Sequence, residues 1–122
     1  MLQSAFPILE VPDLAVALTF YRDIVGGELR YAFPDEIEPV YVSLQLGSSA
    51  LGIGLTEHPD PVGGMLLWIY VDDVDAATVA VRSAGFPVEE EPSDQPWGER
   101  VSLVRDPFGT RVRFGAPLAP VD

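Results

Sequence analysis

Val11-Pro12-Asp13-Leu14-Ala15-Val16-Ala17 and Val71-Asp72-Asp73-Val74-Asp75-Ala76-Ala77 are two versions of one segment, 60 residues apart in a chain of 122. In each, an apolar stretch passes through Val-x-Asp into an amphipathic run, and an arginine recurs at the same offset, Arg22 and Arg82. A motif used twice fixes the architecture before any single element does, because each copy has to be one structural unit. Two such units, each with its own curved sheet, are expected to face one another as a cup with helices outside and room for a ligand.

Around the first copy, residues 4–11 read as a strand stopped by Pro12, with Asp13 placed to cap a helix over residues 14–25. Leu14, Ala17, Leu18, Tyr21 and Val25 have helical spacing, and Gly26-Gly27 ends the run. Strands come next at residues 28–33, 40–46 and 50–56, the last two joined through Gly47-Ser48-Ser49 as a hairpin. The Pro- and Gly-bearing segment 57–64 is the link between halves. The second copy then gives a strand from Met65 to about Val71, a helix over 74–84 capped by Asp73, and a strand at 86–90. An irregular stretch at 91–98 leads to strands at 100–104 and 111–114, joined through the turn Asp106-Pro107-Phe108-Gly109. The fold class is therefore α+β, two βαβββ modules of about 1–60 and 61–122 in a single domain.

Composition narrows the function. Hydrophobic content of 48% argues for a packed globule, and no apolar run approaches the ~20 residues that span a bilayer. The N-terminus carries no basic region followed by an apolar core, so a cytoplasmic location is expected. The absence of cysteine removes disulfides, zinc–thiolate sites and thiol nucleophiles, and all seven basic residues are arginine, which removes lysine Schiff bases. The net charge of −12 is spread over both halves, nine acids against two arginines up to residue 61 and ten against five beyond it. A field of that sign repels nucleic acid and anionic membranes and concentrates cations, although solubility alone also accounts for it.

Alternation within strands assigns faces. Leu9, Val11, Val40, Val42, Leu44, Leu46, Leu51, Ile53, Leu55, Leu67, Ile69 and Val71 are expected in the rows that helices cover. Phe6, Ile8, Glu10, Tyr41, Ser43, Gln45, Trp68 and Tyr70 look the other way, beside the small row Ala50, Gly52, Gly54. In the last two strands the same counting puts Val101, Leu103, Val112 and Phe114 inward and Arg100, Ser102, Arg111 and Arg113 on the open face. An aromatic, small-residue and arginine-bearing face suits a planar ligand, or alternatively a partner subunit. Trp97 is either a lid on that ligand or an anchor for its own loop. Glu10 and Arg113 are expected to pair, or Glu10 to act as a base.

Asp13-Leu14 before Phe20-Tyr21-Arg22-Asp23, the segment Tyr70-Val71-Asp72-Asp73-Val74-Asp75, and Gly98-Glu99-Arg100 leading into Asp106-Pro107-Phe108-Gly109 together resemble the vicinal oxygen chelate superfamily. That superfamily includes glyoxalase I, extradiol dioxygenases and bleomycin resistance proteins. The resemblance implies, in members that do chemistry, one divalent ion held by His, Glu or Gln at four strand positions. Counted from the shared motifs these fall on Phe6, Gly54, Leu66 and Arg113, none of which can ligate, and Arg113 opposes a cation electrostatically. His58, the single histidine, lies beside Glu57 and Asp60 in the link and reads as a solvated loop residue. The expectation is a protein without metal or other cofactor, similar to the bleomycin resistance group, that binds a small aromatic or cationic molecule as a homodimer. Its expected ligand contacts are Phe6, Glu10, Tyr41, Ser43, Gln45, Trp68, Tyr70, Trp97, Arg100, Arg111 and Arg113. The alternatives are a metal-dependent lyase, isomerase or dioxygenase, and a non-catalytic interaction module.

Overall fold

The computed structural model describes residues 6–59 and 65–118. The chain divides into two compact units between Pro61 and Val62. The first contains β1 (Ile8–Val11), α1 (Leu14–Leu18), which continues as a π-helical segment (Thr19–Ile24), β2 (Glu28–Phe33), β3 (Tyr41–Leu46) and β4 (Ser49–Leu55). The second contains β5 (Leu66–Tyr70), α2 (Val74–Ser83), β6 (Val88–Asp94), β7 (Glu99–Arg105) and β8 (Arg111–Pro117). Each unit builds one four-stranded sheet, in the orders β1-β4-β3-β2 and β5-β8-β7-β6. In both, the first and last strands of the module pair in parallel and the other pairs are antiparallel. The fold is α+β, a βαβββ module used twice.

The quoted repeat has one local cause. Asp13 and Asp73 hold extended backbone at φ −143° and −140°, and each carboxylate accepts from a backbone N–H three residues on, Val16 at 3.1 Å and Ala76 at 3.0 Å. Each aspartate thus satisfies a donor that the first helical turn leaves without a partner and ends the preceding strand. Beyond the cap the two copies diverge. α2 runs as a regular helix, whereas the first helix widens after Leu18, and the Val25 N–H reaches Phe20 C=O at 2.9 Å, five residues back. The wider turn brings two consecutive aromatics, Phe20 and Tyr21, into the core, ring centroids 4.8 Å apart and edge to face. Strict helical spacing therefore selects the wrong residue there: Phe20 is fully buried, while Leu18 and Val25 are only partly so.

Two sequence expectations change in the second unit. Residues 91–94, expected to be irregular, extend β6 to Asp94, and the ladder shifts register between Glu90 and Ser93. Pro92 is tolerated because β6 is the outer strand of its sheet and the shift frees it from the ladder. The larger change is β7, whose faces are reversed. Ser102 is fully buried against α2, where its hydroxyl and that of Thr78 share a hydrogen bond of 2.8 Å, and Thr78 donates on to Val74 C=O at 2.7 Å. Arg100, Ser102 and Val104 therefore lie on the helix side with Phe114 and Val112, and Val101 and Leu103 lie on the opposite face beside Gly115 and Arg113. A serine reads as outward by polarity, but a buried hydroxyl partner removes the penalty for turning it in.

Candidate functional site

In the first sheet, the face turned away from the helix is built by register. β1 places Ile8 beside Gly52 and Glu10 beside Gly54, and β3 places Tyr41, Ser43 and Gln45 against Gly54, Gly52 and Ala50. The Tyr41 ring crosses Gly52: a Cβ there would lie 2.5 Å from the phenol oxygen and 3.0 Å from Ile8 Cγ1. Glycine is thus required so that the phenol can rest on bare backbone. β2 adds two residues absent from the expected ligand contacts, Phe33 opposite Tyr41 and Tyr31 opposite Ser43, both exposed, with the Tyr31 and Tyr41 rings 6.3 Å apart. Alternation along β2 carries the signal for them, but a register shift between Leu29 and Tyr31 breaks its phase. Gln45 is tied locally, donating to Gly47 C=O at 2.7 Å. Phe6 is exposed and precedes β1, outside the ladder.

The second sheet carries the same kind of seat, filled from the other side. β5 sets Leu66, Trp68 and Tyr70 beside Arg111, Arg113 and Gly115 of β8. The Trp68 indole lies over Gly115, where an added Cβ would come within 2.9 Å of Nε1. Tyr70 lies next to it, at 6.1 Å between ring centroids. Beyond β8 lies β7, whose first residue, Glu99, is paired with Pro117 and comes near enough to the Tyr70 phenol to act on it. Glu99, through hydrogen bonding first and then, with desolvation, through its charge, pushes the phenol above its ordinary pKa, and Trp68 opposes the shift. Trp97, in the turn before β7, donates its indole N–H to Glu99 Oε1 at 2.6 Å while its side chain stays 60% exposed.

The arginines sort by partner. Arg100 does not look onto this face, as strand counting expects. It forms a bridge on the helix side, to both carboxylate oxygens of Asp75 on α2 at 2.7 and 2.9 Å and to Asp94 at 2.9 Å. Asp75, then Asp94, raise the Arg100 pKa, and the same guanidinium lowers that of Asp75. Arg113 does lie on the open face, but the carboxylate it reaches is Glu90 at 2.8 Å in its own sheet rather than the expected Glu10. Arg105 takes Glu89 at 2.6 Å, and Arg82 takes Glu91. Among the described residues Arg111, half-buried beside Leu66, is the one arginine without an ion pair.

The positions at which a metal would be held do not fit one. Phe6 and Leu66 are hydrocarbon, Gly54 has no side chain, and Arg113 is a paired cation. Among the described residues no group of three or more His, Cys, Asp or Glu could hold an ion. His58 is exposed, and its backbone N–H reaches the Thr56 hydroxyl at 3.3 Å, while its neighbour Asp60 lies outside the described residues. No helix among those residues is long and apolar enough to cross a membrane.

Known proteins share this fold. The family model described as Glyoxalase/Bleomycin resistance protein/Dioxygenase superfamily matches residues 6–114. Among solved structures, TioX from Micromonospora sp. ML1 is similar at 23% identity and TM-score 0.77, covering 98% of this chain and 100% of its own. A glyoxalase/bleomycin resistance protein from Streptomyces sp. CB03234 is similar at 24% identity and TM-score 0.68, covering 93% and 100%. Lactoylglutathione lyase from Agrobacterium tumefaciens is similar at 25% identity and TM-score 0.69, covering 94% of each chain. A search among curated proteins gave no match.

Proposed function

The chain belongs to the glyoxalase/bleomycin resistance protein/dioxygenase superfamily, and from that premise we propose that it binds a planar aromatic small molecule without a metal and without transforming it. One observation carries this reading: all four positions at which the superfamily resemblance places metal ligands hold residues that cannot ligate, while the same open faces keep aromatic rings seated on glycine. A flat ring laid on Tyr41 or Trp68 meets a π-face that backbone supports from below, so stacking requires little ordering of the side chain. Phe6, Glu10, Tyr41, Ser43 and Gln45 on the first sheet are assigned to ligand contact, with Tyr31 and Phe33 added. Trp68, Tyr70, Trp97, Arg111 and Arg113 are assigned on the second, and Arg100 is not. The same reading takes the protein as a homodimer in the cytoplasm.

The test is native mass spectrometry of protein taken directly from cells, with elemental analysis and titration of Trp fluorescence by neutral planar aromatics such as acridine and phenazine. Dimer mass, no stoichiometric metal and saturable quenching are expected. One equivalent of Ni, Zn, Mn or Fe per chain overturns the reading in favour of a metal-dependent enzyme, which the similarity to a lactoylglutathione lyase would then support. Fluorescence insensitive to every aromatic overturns it in favour of an interaction module.

A further inference from the structure

Glu99 differs from the other acids of its sheet. Glu89, Glu90, Glu91 and Asp94 each meet an arginine, whereas Glu99, half-buried at the start of β7, has no cation among the described residues. Its neighbours are neutral aromatics: the Trp97 indole donates to it at 2.6 Å, and the Tyr70 phenol is near enough for Glu99 to raise its pKa. Trp68 stands 6.1 Å beyond Tyr70, so three aromatic side chains lie around or beside one carboxylate. All three remain exposed, Trp68 at 38% and Tyr70 at 64%, and so stay available to a ligand. Gly115 carries no side chain and so leaves room for Trp68, which rests on it, while Tyr70 on β5 stands beside Gly115 and Glu99 on β7 beside Pro117.

One neutral donor fixes the carboxylate in place but leaves its charge uncompensated. A carboxylate has acceptor capacity for about four hydrogen bonds, so Glu99 stays open to a further partner, and a cation is the one that balances its charge. Aromatic faces attract cations through their quadrupole, Trp most strongly, and a soft organic ammonium loses less hydration on entering such a site than an inorganic ion. Of the guanidinium groups in this sheet, Arg113 on this face is held by Glu90, Arg100 lies on the other face with Asp75 and Asp94, and Arg111 stands beside Leu66, at the opposite end of β5 from Tyr70.

The geometry points to Trp68, Tyr70, Trp97 and Glu99 as a subsite for an organic ammonium group, so that the ligand is a planar molecule bearing an alkylated amine. This rests on the aromatic-binding reading and specifies its charge. The net charge of −12 steers such a ligand in, and Glu99 gives it a place to dock.

The probe is benzyltrimethylammonium, titrated by calorimetry into the full chain beside its neutral aromatic counterpart, benzyl alcohol. Wild type is expected to favour the cation by about tenfold, the scale of one partly desolvated charge contact. Glu99→Gln keeps an acceptor for Trp97 but removes the charge, and should abolish that preference while leaving benzyl alcohol and the melting temperature unchanged. Trp97→Leu removes an exposed aromatic wall and should weaken the cation in the same direction, which guards against misfolding of the first variant. Equal affinity of wild type for the two probes, or an undiminished preference in Glu99→Gln, overturns the subsite. If acridine or phenazine still binds in that case, the aromatic-binding reading stands alone. If none of these molecules binds, both fall.

Discussion

At the scale of single residues, two glycines do the most. Gly52 and Gly115 let a phenol and an indole lie flat on the backbone of β4 and β8, and a Cβ at either would sit closer to the ring than a real contact allows. Gly115→Ala should therefore tilt Trp68 away without unfolding the sheet, since alanine is tolerated in a strand. In a Trp97→Phe background, where Trp68 is the only indole, the near-UV circular dichroism band should weaken and acridine affinity should fall severalfold. An unchanged spectrum would show that the ring does not depend on the glycine. The run Ala50, Gly52, Gly54 shows in the sequence as missing volume, and Tyr41 and Trp68 show as outward aromatics. That the rings lie over the glycines could not be read, because it depends on which strands are neighbours. That Tyr70 and Glu99 are neighbours could not be read for the same reason.

At the scale of elements, β7 teaches the most. Its reversed faces rest on a hydroxyl pair and on an arginine clamp, and each can be tested. Thr78→Val leaves the Ser102 hydroxyl buried without its partner, and denaturant unfolding should show a loss of about 1–3 kcal/mol. Adding Ser102→Ala should recover much of it, because an apolar pair leaves nothing unsatisfied; a double variant no better than the single would argue against the pairing. The clamp acts through Asp75, whose pKa Arg100 lowers. A depressed carboxyl contributes stability fully above its unfolded pKa and loses it as pH falls through the folded value. The melting-temperature gap between wild type and Asp75→Asn should thus be constant near neutrality and close as the pH drops below the ordinary aspartate range. A gap that widens in acid would refute the linkage. Polarity misassigned this strand because both outward-seeming residues find polar partners on α2, information that resides 24 and 25 residues away. Helix caps, by contrast, were fully legible, since Asp13 and Asp73 act within three residues of themselves.

At the scale of the molecule, charge dominates. With 19 acids against seven arginines, the acids have too few cations to pair with and repel one another. Raising ionic strength from about 10 mM to about 150 mM shortens the screening length from about 30 Å to about 8 Å, so the melting temperature should rise. A fall would mean that the surface ion pairs outweigh the repulsion. The duplication itself was readable end to end because a repeat needs no knowledge of contacts. It also has a practical meaning for anyone wishing to redesign the protein. Each sheet completes its own ladder, and each has its own ring on its own glycine, one supplied by β3 and the other by β5. A library could therefore vary the rings on one sheet while the other is held fixed as an internal control, and the two aromatic faces could be varied in turn.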